Sequence, residues 1–245
     1  MKVSFEAPLA HLYDFDEYQD YLFVLSHLCE NSLYKSYVMS SNKFKILDNS
    51  AYELKRSVPA SQVCDVAEEI KADVIVVPDV LGDADETLKV TEEFYKEFTK
   101  RPNLKGVKTM VVPQGTTYSE YLMCYYKMRG FPYDMIGVSF YIPGPLFESE
   151  DLRLKKVQSI VNAEPNKKIH LLGLYRSSFL YEYKKYLSIE SIDTSMPVAL
   201  AVYGKEFTDK SIKEGRPPAF FDLRLSKEQL NLAKRNIDNF KRIIS

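Results

Sequence analysis

Long apolar runs are missing from this 245-residue chain, and so is a surplus of either charge. No stretch approaches the roughly eighteen apolar residues of a membrane span, so none is expected. The opening residues, MKVSFEAPLAHLYDFDEYQD, meet acidic side chains before an apolar core could form, so no signal peptide is expected. Lys and Arg number 33 against 34 Asp and Glu, a formal net charge of −1. That argues against a generally sticky nucleic-acid coat while allowing a local basic patch. Cysteine is scarce: Cys29, Cys64 and Cys124 are odd in number and lack C-x-x-C spacing. A disulfide framework and a cysteine-built zinc site are both disfavoured, and a reducing cytoplasm is the expected location. There is no internal repeat, no Gly/Ser linker, and no glycine-rich phosphate loop after any apolar run.

What is present is an ordinary globular composition, 45% hydrophobic and 27% charged, enough for a large core in one domain spanning residues 1–245. Short β-branched runs recur, each followed by polar turn residues and then a helical pattern. The clearest are 74–78 (VIVVP), 108–113 (KTMVVP), 135–139 (MIGVS) and 168–173 (KIHLLG). Weaker ones lie at 44–47, 191–193 and 198–202, and an eighth at 2–5 or 21–25. Runs that are apolar throughout suit parallel strands covered on both faces. Between them, Val63, Val66, Ala67 and Ile70 mark one helical face, and Tyr118, Tyr121, Leu122 and Tyr125 another. The last helix, expected over about 226–243, opens on a Ser226/Gln229 capping box with Leu225 and Leu230 as a staple. Repeated strand–helix alternation in this length favours an α/β fold of the (β/α)8 barrel type over a doubly wound sheet.

Polar residues stand at the ends of these runs: Asp48, Asp79, Gln114, Ser139, Gly173 and Asp193. In a barrel such ends converge on the mouth where chemistry is placed. Each alone is also an ordinary turn or cap residue; their shared position is the signal. One Asp could attack an electrophilic carbon while another manages protons. An Asp with a Gln offers donors and acceptors that match a purine edge, and Tyr52, Phe140 and Tyr141 are candidates to stack on a base.

At these residues the chain resembles the tRNA-guanine transglycosylase superfamily, especially its smaller phage and bacterial branch that exchanges guanine for a 7-deazaguanine in DNA. The resemblance runs from residue 44 to residue 204. ILDNSAYEL resembles the family's aspartate-serine-glycine-glycine stretch, which implies Asp48 as an acid–base group with Asn49 and Ser50 beside the substrate. VVPDVLGD implies Asp79 as a base reader, and VVPQG implies Gln114 and Gly115 as base contacts. IGVSFYIPG implies Gly137 and Ser139 at the pocket floor, HLLGL places Leu172 and Gly173 against the base, and SIDTSMP carries Asp193 as the nucleophile. The tRNA enzymes hold a second aspartate three residues later, where this chain has Met196, and a cysteine-rich zinc segment that this chain lacks. The resemblance therefore implies a base-exchanging glycosyltransferase without metal or other cofactor. Asp193 would form a covalent glycosyl intermediate and DNA would be preferred over tRNA as the polymer partner. The base is guanine or a 7-deazaguanine, a homodimer is possible, and the setting is the cytoplasm of a bacterium or phage-infected cell.

Smaller signals complete the reading. His170, inside an apolar run, reads as a satisfied core histidine rather than a metal ligand. The tyrosine-rich stretch 175–186 reads as a helix with an aromatic core stripe ahead of a nucleic-acid surface. Residues 205–245 hold ten Lys/Arg against six Asp/Glu. Within them Lys205, Lys210, Lys213 and Arg216 follow the run at 198–202 and are expected to contact a nucleic-acid backbone. Two other classes of function stand beside base exchange. One is a non-catalytic subunit that binds nucleic acid or base. The other is an unrelated barrel hydrolase or lyase using the same carboxylates on a small sugar or nucleoside.

Overall fold

The computed structural model describes residues 1–140 and 150–245, so Tyr141, one of the stacking candidates, lies outside the described residues. Its centre is one sheet of eight parallel strands: β1 (Lys2–Phe5), β2 (Leu22–Leu25), β3 (Lys45–Asp48), β4 (Val74–Val76), β5 (Lys108–Val111), β6 (Met135–Ser139), β7 (Lys168–Leu172) and β8 (Ile189–Thr194). The order is β1-β8-β7-β6-β5-β4-β3-β2, with every neighbouring pair parallel. Around it run α1 (Ser32–Ser40), α2 (Ala51–Leu54), α3 (Ala60–Ile70), α4 (Ala84–Phe98), α5 (Tyr118–Met128), α6 (Glu150–Ala163), α7 (Leu180–Tyr183), α8 (Met196–Val202) and α9 (Lys227–Ile244). This is a nearly closed (β/α)8 barrel, the expected fold.

Closure at β1 and β2 is made by side chains, since no ladder joins these strands among the described residues. The Phe23 N–H donates to Ser4 Oγ at 3.0 Å, and Ser4 Oγ–H donates to Gln19 Oε1 at 3.2 Å. Gln19 also spans the Phe5 peptide, accepting from its N–H and donating to its carbonyl, both at 2.7 Å. Asp20 treats Val3 in the same way. These contacts satisfy backbone groups that an open sheet edge would leave unpaired.

Period two along each strand sorts the core into two layers. Ile46, Val74, Val76, Met110, Val112 and Met135 fill the barrel interior together with Tyr21, Phe23 and Leu25. Their alternates, among them Leu47, Ile75, Val111, Ile136 and Ile192, pack outward under the helices. The two weakest strand expectations are settled together: residues 2–5 and 22–25 are both strands. The run at 198–202 is corrected. It is the helix α8, started by Pro197 in its first turn and fully buried from Met196 to Ala201. A short apolar run does not distinguish a buried strand from a buried helix, and Pro at a first turn favours the helix.

The last helix carries the expected capping box, with the Gln229 N–H donating to Ser226 Oγ and the Ser226 N–H to Gln229 Oε1. It also anchors the segment that precedes it. Asn236, fully buried, accepts from the Phe207 N–H at 2.8 Å and donates to the carbonyls of Pro197 and Lys205, both at 3.0 Å. Asn236→Ala strands three backbone groups and should lower unfolding free energy by about 3 kcal/mol. Urea denaturation with an unchanged m value checks this; a loss under about 0.5 kcal/mol, the range of neutral surface changes, would overturn it.

Candidate active site

The inward register of the strands continues past their ends and builds a cleft at the C-terminal mouth. Ser4 leads to Glu6, Ile46 to Asp48, Val112 to Gln114, Gly137 to Ser139, His170 to Leu172 and Ser191 to Asp193, each two residues on and on the same face. The cleft encloses about 610 Å³, counting the space open to solvent. Glu6, Asp48, Glu53, Asp79 and Asp193 bring five carboxyl groups into it, against the two cations Lys213 and Arg216. Phe23, Leu25, Val76, Val112 and Leu172 form an apolar floor, and Tyr52 and Phe140 a wall, their rings tilted by 60° with centroids 5.6 Å apart.

Asp193 sits where β8 opens into the cleft and is buried. Its Oδ1 accepts from the Gly173 N–H and from His170 Nε2, both at 3.1 Å. His170 bonds Ser191 Oγ through Nδ1 at 2.8 Å and stacks on Phe23 with centroids 5.2 Å apart. With Asp193 as acceptor, the proton belongs on Nε2 and Nδ1 accepts from Ser191. His170 is thus the satisfied histidine the sequence suggested, and it orients Asp193 so that Oδ2 is left for the cleft. Gly173 is required on two counts. Its φ is +68°, and a Cβ there would meet Phe140 Cδ1 at 2.5 Å.

Asp48 ends β3 with Oδ2 accepting from the Ser50 N–H at 2.7 Å. Burial, followed by the Glu53 charge, holds its carboxyl well above the usual range. Asp79 is braced across strand ends. Asn49 Nδ2 donates to its Oδ1 at 2.7 Å and Gln114 Nε2 to its Oδ2 at 2.5 Å, while Gln114 Oε1 accepts from the Gly82 N–H at 3.1 Å. Burial still pushes Asp79 up to about 6, against these two hydrogen bonds. Glu6, beyond β1, is pushed up to about 7, chiefly by burial and against the nearby Arg216. Arg216 makes an ion pair with Glu6 without hydrogen-bond geometry, donates to Glu53 Oε1 at 2.8 Å, and reaches Ser195 Oγ at 3.3 Å.

The structure brings Asp48, Asn49, Asp79, Gln114, Ser139, Leu172, Gly173 and Asp193 to one cleft. It does not bring every expected residue there. Ser50 turns away, left-handed at φ 59°, and accepts from Ser26 Oγ–H at 3.0 Å. Gly115 lies against α5, where a Cβ would meet the Tyr121 nitrogen at 2.5 Å. Gly137 lies beneath the floor, its missing Cβ making room for Val112 and Leu172. Met196 is buried outside the cleft. Of the residues expected to contact a nucleic-acid backbone, Lys205 is paired with Glu214 at 2.6 Å, while Lys213 and Arg216 turn into the cleft toward its carboxylates. Only Lys210 of the four stands on the open surface away from the cleft without an ion pair. Sequence reasoning missed Glu6, Glu53 and Arg153. The two-residue step from Ser4 would have found Glu6. Nothing in the sequence marks Arg153, which reaches from α6 to the carbonyls of Val138, Leu172 and Gly173.

No protein-family model matches the chain, and no curated protein matches it either. Among solved structures, a 3-hexulose-6-phosphate synthase matches with a TM-score of 0.52 and 13% identity over 98% of this chain and 99% of that one. A second such synthase, from Salmonella typhimurium, matches with a TM-score of 0.47 and 12% identity over 99% of both chains. These neighbours are barrel enzymes, and at such identity the likeness is one of fold. The expectation of guanine exchange in DNA or tRNA is corrected here: the solved structure matched with a TM-score of 0.52 is a synthase of a different function. The physical reason is general. Any (β/α)8 barrel presents polar residues in order at its strand ends, so ordered short motifs report the architecture before they report a reaction. Among the described residues no helix is long and apolar enough to cross a membrane, and no group of three or more His, Cys, Asp or Glu is arranged to hold a metal ion.

The raised Asp79 carboxyl has a consequence for stability. It titrates near 3.8 when free and at about 6 in the fold. The folded state therefore binds the extra proton in that window, and the stability this confers is full below pH 4 and lost as pH rises through 6. Asp79→Asn should flatten the stability profile between pH 4 and 7 by up to about 3 kcal/mol relative to the parent. Denaturation series at each pH check it, and parallel curves for the two proteins would sink it.

Proposed function

We propose that the chain is an enzyme that breaks a carbon–heteroatom bond in a small, uncharged, ring-bearing molecule of nucleoside or glycoside size, using Asp193 and Asp48. One observation carries the reading. Across a single cleft, Asp193 is fixed through Oδ1 while no described residue bonds its Oδ2, and the Asp48 carboxyl is buried beside Glu53, which raises its hold on a proton. Two carboxyl groups in unlike environments are what acid-assisted bond cleavage needs. Asp193 stabilises or attacks the carbon as positive charge develops, Asp48 gives its proton to the departing heteroatom, and water completes the hydrolysis.

The surroundings support the substrate class. The apolar floor and the Tyr52/Phe140 wall suit a flat ring, and the Asn49–Asp79–Gln114 bridge offers it a polar edge. The five carboxyl groups outnumber the two cations, and Arg216 is already shared by Glu6 and Glu53. Such a cleft opposes an anion, so the phosphate in the structural neighbours' name is not carried over to this chain.

The test is release of base or aglycone from a panel of free nucleosides and glycosides. Asp193→Asn should lower turnover on the order of a thousandfold with folding intact. Asp48→Asn should lower it about a hundredfold and remove the decline that the parent shows as rising pH takes the Asp48 proton. No release from any member of the panel, or full turnover by Asp193→Asn, would refute the proposal.

A further inference from the structure

The stretch between α8 and α9 lays a lysine into the cleft that bond cleavage does not use. Its backbone is fixed: the Lys213 N–H donates to the Tyr175 carbonyl at 2.7 Å, Ile212 bridges Arg176, and the Ser177 N–H reaches the Ser211 carbonyl at 2.9 Å. The side chain then runs along aromatic faces. Lys213 Nζ lies 3.7 Å from the Phe140 centroid and 5.7 Å from that of Tyr52. No described residue gives this ammonium a hydrogen bond or an ion pair. Arg216 lines the same cleft on the same stretch, and Lys55 lies over the Tyr52 ring at 3.8 Å. The facing acids are Glu6 beyond β1, Glu53 of α2 and Asp193 of β8.

An amine set on aromatic faces, near a second cation and without a hydrogen-bond acceptor among the described residues, is in the surroundings that make lysine a nucleophile. We propose that Lys213 captures the carbonyl carbon of a small aldehyde or ketone as an imine, a second reactive group beside the two aspartates. The free amine donates its electron pair to the carbonyl carbon, the carbonyl oxygen takes a proton from an acid of the cleft, and the nitrogen returns a proton to that acid to give a neutral carbinolamine. The same acid then protonates the hydroxyl, the C–O bond breaks with loss of water, and the nitrogen electron pair forms the protonated imine; addition of water reverses the sequence, returning the amine, the carbonyl and the proton. No oxidant or reductant takes part. Burial, with Arg216 adding to it, pushes Lys213 down to about 8, so that about half the amine is free at mildly alkaline pH.

The experiment traps the imine on the intact protein and does not depend on turnover. Glycolaldehyde and sodium cyanoborohydride are added, and modification of each lysine is followed by peptide mass spectrometry. Lys213 should be labelled roughly tenfold or more faster than exposed Lys210, its rate levelling off above pH 8 while that of Lys210 keeps climbing. Arg216→Gln should shift the Lys213 profile to higher pH by removing the neighbouring cation. Labelling of Lys213 no faster than Lys210, or a rate still rising at pH 10, overturns the proposal. Because the readout is adduct formation, this failure is separate from failure of the bond-cleavage reading, and Lys213→Met supplies the blank for the adduct.

Discussion

Carboxyl groups crowded into a low-dielectric cleft repel one another, and the arrangement of this barrel mouth answers that repulsion. Each of the five is handled differently. Asp48 is driven toward its neutral form by burial, Asp79 spreads its charge over the amides of Asn49 and Gln114, Glu6 and Glu53 share one guanidinium, and Asp193 is held by a backbone N–H and an imidazole. Uniform neutralisation would have left five equivalent groups. Unequal solutions leave one cleft with carboxyl groups in unlike environments, which is chemically more useful.

The barrel supplies the precision for this. Asp193 is aimed by Gly173 and His170, and the Gly173 carbonyl is in turn capped by the buried Arg153 at 2.9 Å. Strand ends thus reach the site through two layers of hydrogen bonds, anchored on one side by α6 and on the other by the stacked Phe23 ring. Groups fixed in this way do not have to reorganise when charge develops on a substrate.

Much of this was legible in the sequence. Apolar runs such as VIVVP and KTMVVP located strands, and the polar residue at the end of a run located Asp48, Gln114, Ser139 and Asp193, each of which the fold sets two steps beyond an inward position. The same step from Ser4 reaches Glu6, but only once the first segment is fixed as a strand. The run VALAV was misread because an all-apolar stretch has no period to distinguish helix from strand. Lys213 and Arg216 were read as nucleic-acid-contacting cations because the sequence does not show that the stretch carrying them folds back over the cleft, where Glu6 and Glu53 pair with Arg216 across more than 150 positions of chain. Arg153 left no trace, since its partners are carbonyl oxygens that every residue possesses. The reaction was the least legible part, because strand-end residues of similar type serve many chemistries on this architecture.

The Arg216 clamp also sets an order of events during synthesis. Glu6 and Glu53 leave the ribosome early, whereas the guanidinium they share is translated after all eight strands. A chain ending before residue 216 holds the sequence of every strand, yet it lacks both the principal counter-charge of its acidic mouth and the helix whose Phe240 packs edge-on against Phe5 of β1. The final stretch, pinned by Asn236 of α9, therefore completes the core and the site together, so the acidic mouth receives its guanidinium only as the barrel receives its last helix.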